Sequence, residues 1–227
     1  SATASSLERE HESNDMDVIE LTDAQKDAMK VYGVRVVEDV SEEPVSIEQA
    51  RLHLKITVDD SDEVSPFDDW ITNIGLPAAR AWCEGYSGLS IGEKTLELAT
   101  DSFPIGGIKL PFGPVVGVIS VTYTDLDGME VVMGECDFEY DPFAQTLDPP
   151  YGDSWPAARP SKNSVRVLYE VGYGEHNPLP KNVLAAVLLT LGHLDINREN
   201  TSPVVMHEIP LGARAMLDQV KVNLGIA

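Results

Sequence analysis

Hydrophobic positions recur at helical spacing in three stretches of this chain and alternate at strand spacing between the second and the third. The most apolar run is 180–198, Pro-Lys-Asn-Val-Leu-Ala-Ala-Val-Leu-Leu-Thr-Leu-Gly-His-Leu-Asp-Ile-Asn-Arg. Val183, Leu184, Val187, Leu188, Leu191 and Asp195 share one helical stripe. The opposite side holds Ala185, Ala186, Leu189, Gly192 and His193, and a helix apolar nearly all round must be covered on both sides. Pro180 suits the first turn, where a missing N–H costs nothing, and the Asn-Thr-Ser-Pro of 200–203 stops the run. Nineteen residues make a helix about 28 Å long, but its strictly apolar part, 183–191, is too short for a bilayer. It reads as the spine of a soluble core.

The other elements follow from the same two periods. Ser46 with Gln49 three residues on has capping-box form, and Ile47, Ala50 and Leu54 line a short helix over 46–55. Ser65 and Pro66 open a second helix over 66–86, where Phe67, Trp70, Ile71, Ile74, Ala78 and Trp82 recur at helical intervals. Pro77 predicts a kink or split near Asn73, because its ring clashes with the carbonyl four residues back. Gly85 to Gly88 ends that helix. From 91 to 174 the pattern turns to strands at 95–98, 107–110, 115–123, 129–133, 138–140 and 164–171. Asp127-Gly128 supplies a hairpin turn. Helices, then strands, then a helix is a segregated order, which predicts an α+β fold with an antiparallel sheet inserted into a small helical bundle.

Residues 1–44 carry 12 acidic against 4 basic side chains and predict an acidic arm with no core of its own. A short helix over 23–32 and an extended piece over 34–37 are its only local signals. The whole chain has 38 acidic and 16 basic residues in 227, a net charge of −22. Such a body repels phosphate, which argues against a nucleic-acid reader but suits a surface that DNA passes without sticking. The first residues show no apolar h-region and predict no secretory signal. Cys83 and Cys136 could pair, but without a secretory signal they read rather as reduced and mostly buried thiols, without metal spacing.

Signals for chemistry are few. The sequence has no Gly-rich phosphate loop, no His-Glu-x-x-His and no Cys-x-x-Cys. The acidic run 58–63 lacks the spacing of a calcium loop. His176, His193 and His207 flank or sit on the long helix without close ligand spacing, and His193 reads as a core or interface histidine. Asp68 and Asp69 read as helix N-terminal charges, and Trp82 with Tyr86 as a packed helix end. No catalytic residue, metal or cofactor is expected.

The segments Val45 to Leu54, Ala79 to Gly88, Ile108 to Gly128, Val165 to Gly174 and Leu179 to His193 with Asn197-Arg-Glu199, in that order and spacing, resemble the head–tail connector (adaptor, or head-completion) proteins of tailed phages. The resemblance covers 45 to about 217. It implies a ring, typically of twelve subunits, under the portal of the capsid. Such a ring extends the DNA channel and offers a platform to a stopper or tail-completion protein, without catalysis. It implies a virion neck location, with assembly in the host cytoplasm. The acidic arm, the long acidic loop near Asp60 and Pro77 depart from the family.

On this reading 1–44 is the arm, 45–203 the connector domain and 204–227 a portal-contacting tail. A ring wall explains the apolar back of the long helix, with Leu189, His193 and Ile196 meeting a neighbouring subunit. In the tail, Ala213, Met216, Leu217, Val220 and Leu224 have helical spacing, whereas Val220, Val222, Leu224 and Ile226 alternate as in a strand. An alternating apolar end can add to a partner's sheet edge, so Leu211, Leu217, Val220, Val222, Leu224 and Ile226 are the expected portal contacts. The opposing reading has the tail cap the chain's own core. Two other functions stay open: a tail-terminator or stopper of the same neck, and a small enzyme with a site dispersed over histidines and carboxylates.

Overall fold

The structure, a computed structural model, describes residues 33–40, 42–57, 67–174, 177–197 and 212–221. Helix α1 (Ile47–Leu54) begins at the expected box: Gln49 N donates to Ser46 Oγ and Ser46 N donates to Gln49 Oε1, both at 3.3 Å. It ends at Lys55, whose left-handed φ of 57° breaks the helical path. The next helical stretch is α2 (Asp68–Trp70), a π-helical turn (Ile71–Gly75) and α3 (Leu76–Ser87). The expected break near Asn73 takes the form of that wide turn. Pro77 has no N–H to offer Asn73, and Leu76 N–H instead reaches back five residues to the Ile71 carbonyl. Gly88, at φ 73°, terminates α3. The long helix is α4 (Lys181–Ile196), starting one residue after Pro180, and α5 (Ala213–Leu217) follows.

The described strands make two antiparallel sheets. The larger has the order β1 (Gly33–Glu38), β2 (Lys94–Thr100), β8 (Val165–Val171), β4 (Val115–Thr124) and β5 (Glu130–Val132). The smaller has β3 (Ile108–Lys109), β7 (Thr146–Asp148) and β6 (Glu139–Asp141). Central strand β8 alternates: Val165, Val167, Tyr169 and Val171 are buried while Arg166 and Glu170 are exposed. In register, Leu96 lies opposite Tyr169, and Leu98 and Val121 opposite Val167, so one face of the sheet is continuous and apolar. Ile108, Leu110, Leu147 and Met133 join the same core. The fold is α+β, as the segregated order of elements predicts.

Two sequence expectations differ from the structure here. Residues 34–37, assigned to the arm, lie in β1, the edge strand of the main sheet, where Arg35 Nε pairs with Glu97 Oε2 at 2.6 Å. Strand β7 was not expected, because three residues with one apolar side chain carry no readable alternation; pairing with β3 and β6 defines it.

A second core lies among the helices: Ile71, Leu76, Ala79, Cys83, Val183, Val187, Leu191 and Leu217, with Ile91 from the segment leading into β2. The two cores meet where the chain crosses at 88–93 and 172–174. Gly92 forms a parallel bridge to Tyr173, and Gly172 adopts φ 115° with its backbone against Gly92. Buried ion pairs brace the junction: Arg80 contacts Glu43 at 3.0 Å and Glu84 at 3.2 Å, and Lys94 contacts Glu84 at 2.9 Å.

Candidate functional site

The residues singled out in the sequence fall on two surfaces of the helical module. The first is the back of α4. Its front buries Val183, Ala186, Val187 and Leu191. Leu189 is 38% exposed and Ile196 81%, with His193 exposed between them, and spacings of four and three residues put the three on one stripe. The His193 carbonyl accepts from Asn197 Nδ2 at 3.0 Å, closing the last turn. Beside the stripe, Gly192 lets α1 come close, since a Cβ there would lie 3.3 Å from His53 Nε2. Leu52, in the last turn of α1, is 81% exposed. Among the described residues, a largely apolar stripe thus stays exposed on a helix whose other side is core.

The second surface is where the end of the described chain docks on α3. Leu217 is 0% exposed and belongs to the helical core, with Ala213, Met216 and Val220 packed against it. Asn182 Nδ2 donates to the Met216 carbonyl at 3.4 Å. Tyr86 is the anchor: its hydroxyl donates to Asp218 Oδ1 at 2.8 Å. Lys221 Nζ sits 4.5 Å from its ring centroid and the Arg214 guanidinium carbon 5.8 Å. Trp82 stacks on the same ring at 5.6 Å with a 7° interplanar angle. The helical spacing is met over 213–217, and the alternating positions 222, 224 and 226 lie outside the described residues.

Leu217, expected to contact the portal, is instead buried in its own subunit's core, and Val220 packs there too. Amphipathic spacing identifies a sticky face but not what covers it. Leu211, Val222, Leu224 and Ile226 lie outside the described residues, as do His176, His207, the 23–32 helix, the 58–63 loop and the Ser65 cap.

Cys83 is buried and its thiol is pushed up to about 11 by desolvation, eased by Thr190 Oγ1 at 3.6 Å. Cys136 is free and exposed, contrary to the expectation of two mostly buried thiols, because it falls in the turn after β5. Asp68 does more than favour a helix N-terminus. It is buried and receives Arg51 of α1 through both carboxylate oxygens, with Nε at 2.9 Å from Oδ1. That pair was not legible, since its partners are 17 residues apart across an acidic loop.

No described protein family matches the sequence, and no curated protein matches it. Solved structures do share the fold. One is a chain from the virion of a native gene transfer agent particle, with a TM-score of 0.69 and 20% identity, covering 85% of this chain and 97% of that one. A second, from the neck of the empty particle computed with C6 symmetry, has a TM-score of 0.69 and 20% identity over 86% and 97% of the two chains. A third, from the neck of the native particle computed with C12 symmetry, has a TM-score of 0.65 and 18% identity over 86% and 97%. This chain therefore has the fold of nearly the whole of those particle chains over 85–86% of its own length.

Proposed function

We propose that the chain is a structural head–tail connector (adaptor) of a tailed bacteriophage, forming a ring under the portal that extends the DNA channel and joins capsid to tail. The observation that carries this reading is the fold match, over 85–86% of this chain, to chains of a gene transfer agent particle, two of them from its neck treated with sixfold or twelvefold symmetry. The open stripe of Leu189, His193 and Ile196 supports it. A ring joins unlike faces of successive copies, and among the described residues that stripe is a largely apolar face left exposed. A net charge of −22 suits a conduit for DNA that binds it nowhere. The portal contact falls to residues 222–227, which follow in sequence on Lys221, itself held over the Tyr86 ring.

The test is negative-stain imaging and pull-down with the portal of the same phage. Full-length protein is expected to give a ring seated on the portal, seen as twelvefold averages, and portal alone once residues 222–227 are removed. That truncation spares the Lys221–Tyr86 contact and should leave the subunit folded. Normal portal binding by the truncated chain overturns the tail assignment, and a ring found only one layer further from the capsid identifies a stopper instead.

A further inference from the structure

The smaller sheet carries an unsatisfied aromatic side chain at one end and an aromatic groove at the other. Phe143 sits at the tip of the β6–β7 hairpin and is 98% exposed. The tip is held firmly: Phe143 N and Ala144 N donate to Asp141 Oδ1 at 2.8 and 3.3 Å, and Gln145 takes a left-handed φ of 55°. The subunit thus fixes a large apolar side chain in water, where it gains nothing for the fold.

The groove has a volume of about 470 Å³ and is lined by Phe103, Pro104, Trp155 and Pro156, with Ser102 and Asp153 supplying polar atoms. Phe103 and Trp155 stack at 4.8 Å, Phe103 meets Tyr123 edge-on at 5.7 Å, and Trp155 Nε1 donates to the Gly106 carbonyl at 3.1 Å. Fully exposed Ile105 and Tyr151 stand in the two loops that form it.

The strand register places these features at opposite ends. β7 leaves the Phe143 turn at Thr146 and runs to Asp148, and β3 is antiparallel to it with Ile108 opposite Leu147. The loops before β3 and after β7, which build the groove, therefore lie at the far end, about 10 Å along strands of three residues. Phe143 cannot reach the groove of its own subunit, but a copy displaced along the strand direction presents it there. A contact between two different patches of identical copies is heterologous and closes into a ring when its rotation allows.

We infer that Phe143 of one subunit inserts into the Phe103–Trp155 groove of the next, as a second contact of the ring wall; this rests on the ring reading above. Phe143 of one copy and Tyr151 of the next would each bury about 150–250 Å², together about a fifth to a third of the roughly 1,600 Å² total of a standard interface. The α4 stripe supplies further area. Both halves are preformed, which lowers the ordering cost of association.

The test uses full-length Phe143→Asp and Ser154→Trp, the second filling the groove from an exposed position, under conditions where the wild type forms rings, alone or on portal. Each variant alone is expected to weaken assembly at least about tenfold, as for a central aromatic anchor, with unchanged melting. Mixed, they should give a one-to-one heterodimer by native mass spectrometry, because one intact knob meets one intact socket and the chain then ends. Rings from Phe143→Asp like those of wild type overturn the inference and spare the ring reading. Loss of rings without heterodimers on mixing also overturns it, as does loss of binding to another neck component alone. A wild type that stays monomeric alone and on portal removes both readings.

Discussion

Glu84 of α3 accepts the backbone N–H of Ile91 through Oε1 at 2.8 Å, tying the end of the helical module to the start of the main sheet. Its other oxygen takes Lys94 Nζ at 2.9 Å and an Arg80 guanidinium N–H at 3.2 Å. One carboxylate thus neutralises two largely buried cations and satisfies a backbone donor at the point where the cores meet.

Glu84→Ala should therefore cost about 3–5 kcal/mol, the range for removing one partner of a buried ionic network. Glu84→Gln keeps an acceptor for Ile91 and should cost less. Urea unfolding of both variants measures the difference, and equal midpoints for Glu84→Ala and wild type would contradict the brace.

Gly172→Ala should be more damaging than most single substitutions. Its φ of 115° is one that L residues rarely adopt, and an added Cβ would fall 2.1 Å from the Gly92 carbonyl oxygen. Backbone cannot rotate away as a side chain does, so the crossing strands must separate. A loss above about 3 kcal/mol, or failure to fold, is expected by thermal and urea unfolding.

Burial makes Cys83 a pH-dependent element on the alkaline side. Its thiol is raised from an ordinary 9.0 to about 11, first by desolvation. The folded state then holds a proton that the unfolded chain has already lost, so stability falls as pH rises from about 9 and levels off near 11. The loss attributable to this group is at most about 3 kcal/mol. Cys83→Ala should flatten the stability profile relative to wild type in that window. A thiol reagent near neutral pH should label Cys136 quickly and Cys83 only on unfolding.

Tyr86 should control the order of residues 213–221 more than global stability. Tyr86→Phe loses the bond to Asp218, worth about 1 kcal/mol, and keeps the ring under Lys221. Tyr86→Leu loses the Trp82 stack and the cation contacts as well. Hydrogen exchange should show graded loss of protection over 213–221 in that order, with the sheet core unaffected.

The sequence by itself determined the elements whose causes are local. The Ser46–Gln49 box, the stop at Gly88, the Asp127-Gly128 hairpin and the break before Pro77 each depend on residues within one or two turns, and each is where the pattern predicts. The α+β class follows from their order. Tertiary structure alone decided what each apolar face meets. Ala186 and Leu189 were read onto the same side of the long helix, yet Ala186 is 0% exposed and Leu189 38%. Leu217 has the spacing of a docking face and ends inside the subunit, while Val34 to Val37 leave the arm to edge the sheet. Periodicity fixes which side chains point the same way. Whether that direction is core or surface depends on contacts between residues far apart in sequence, such as Tyr86 with Asp218 and β1 with β2, which no local pattern encodes.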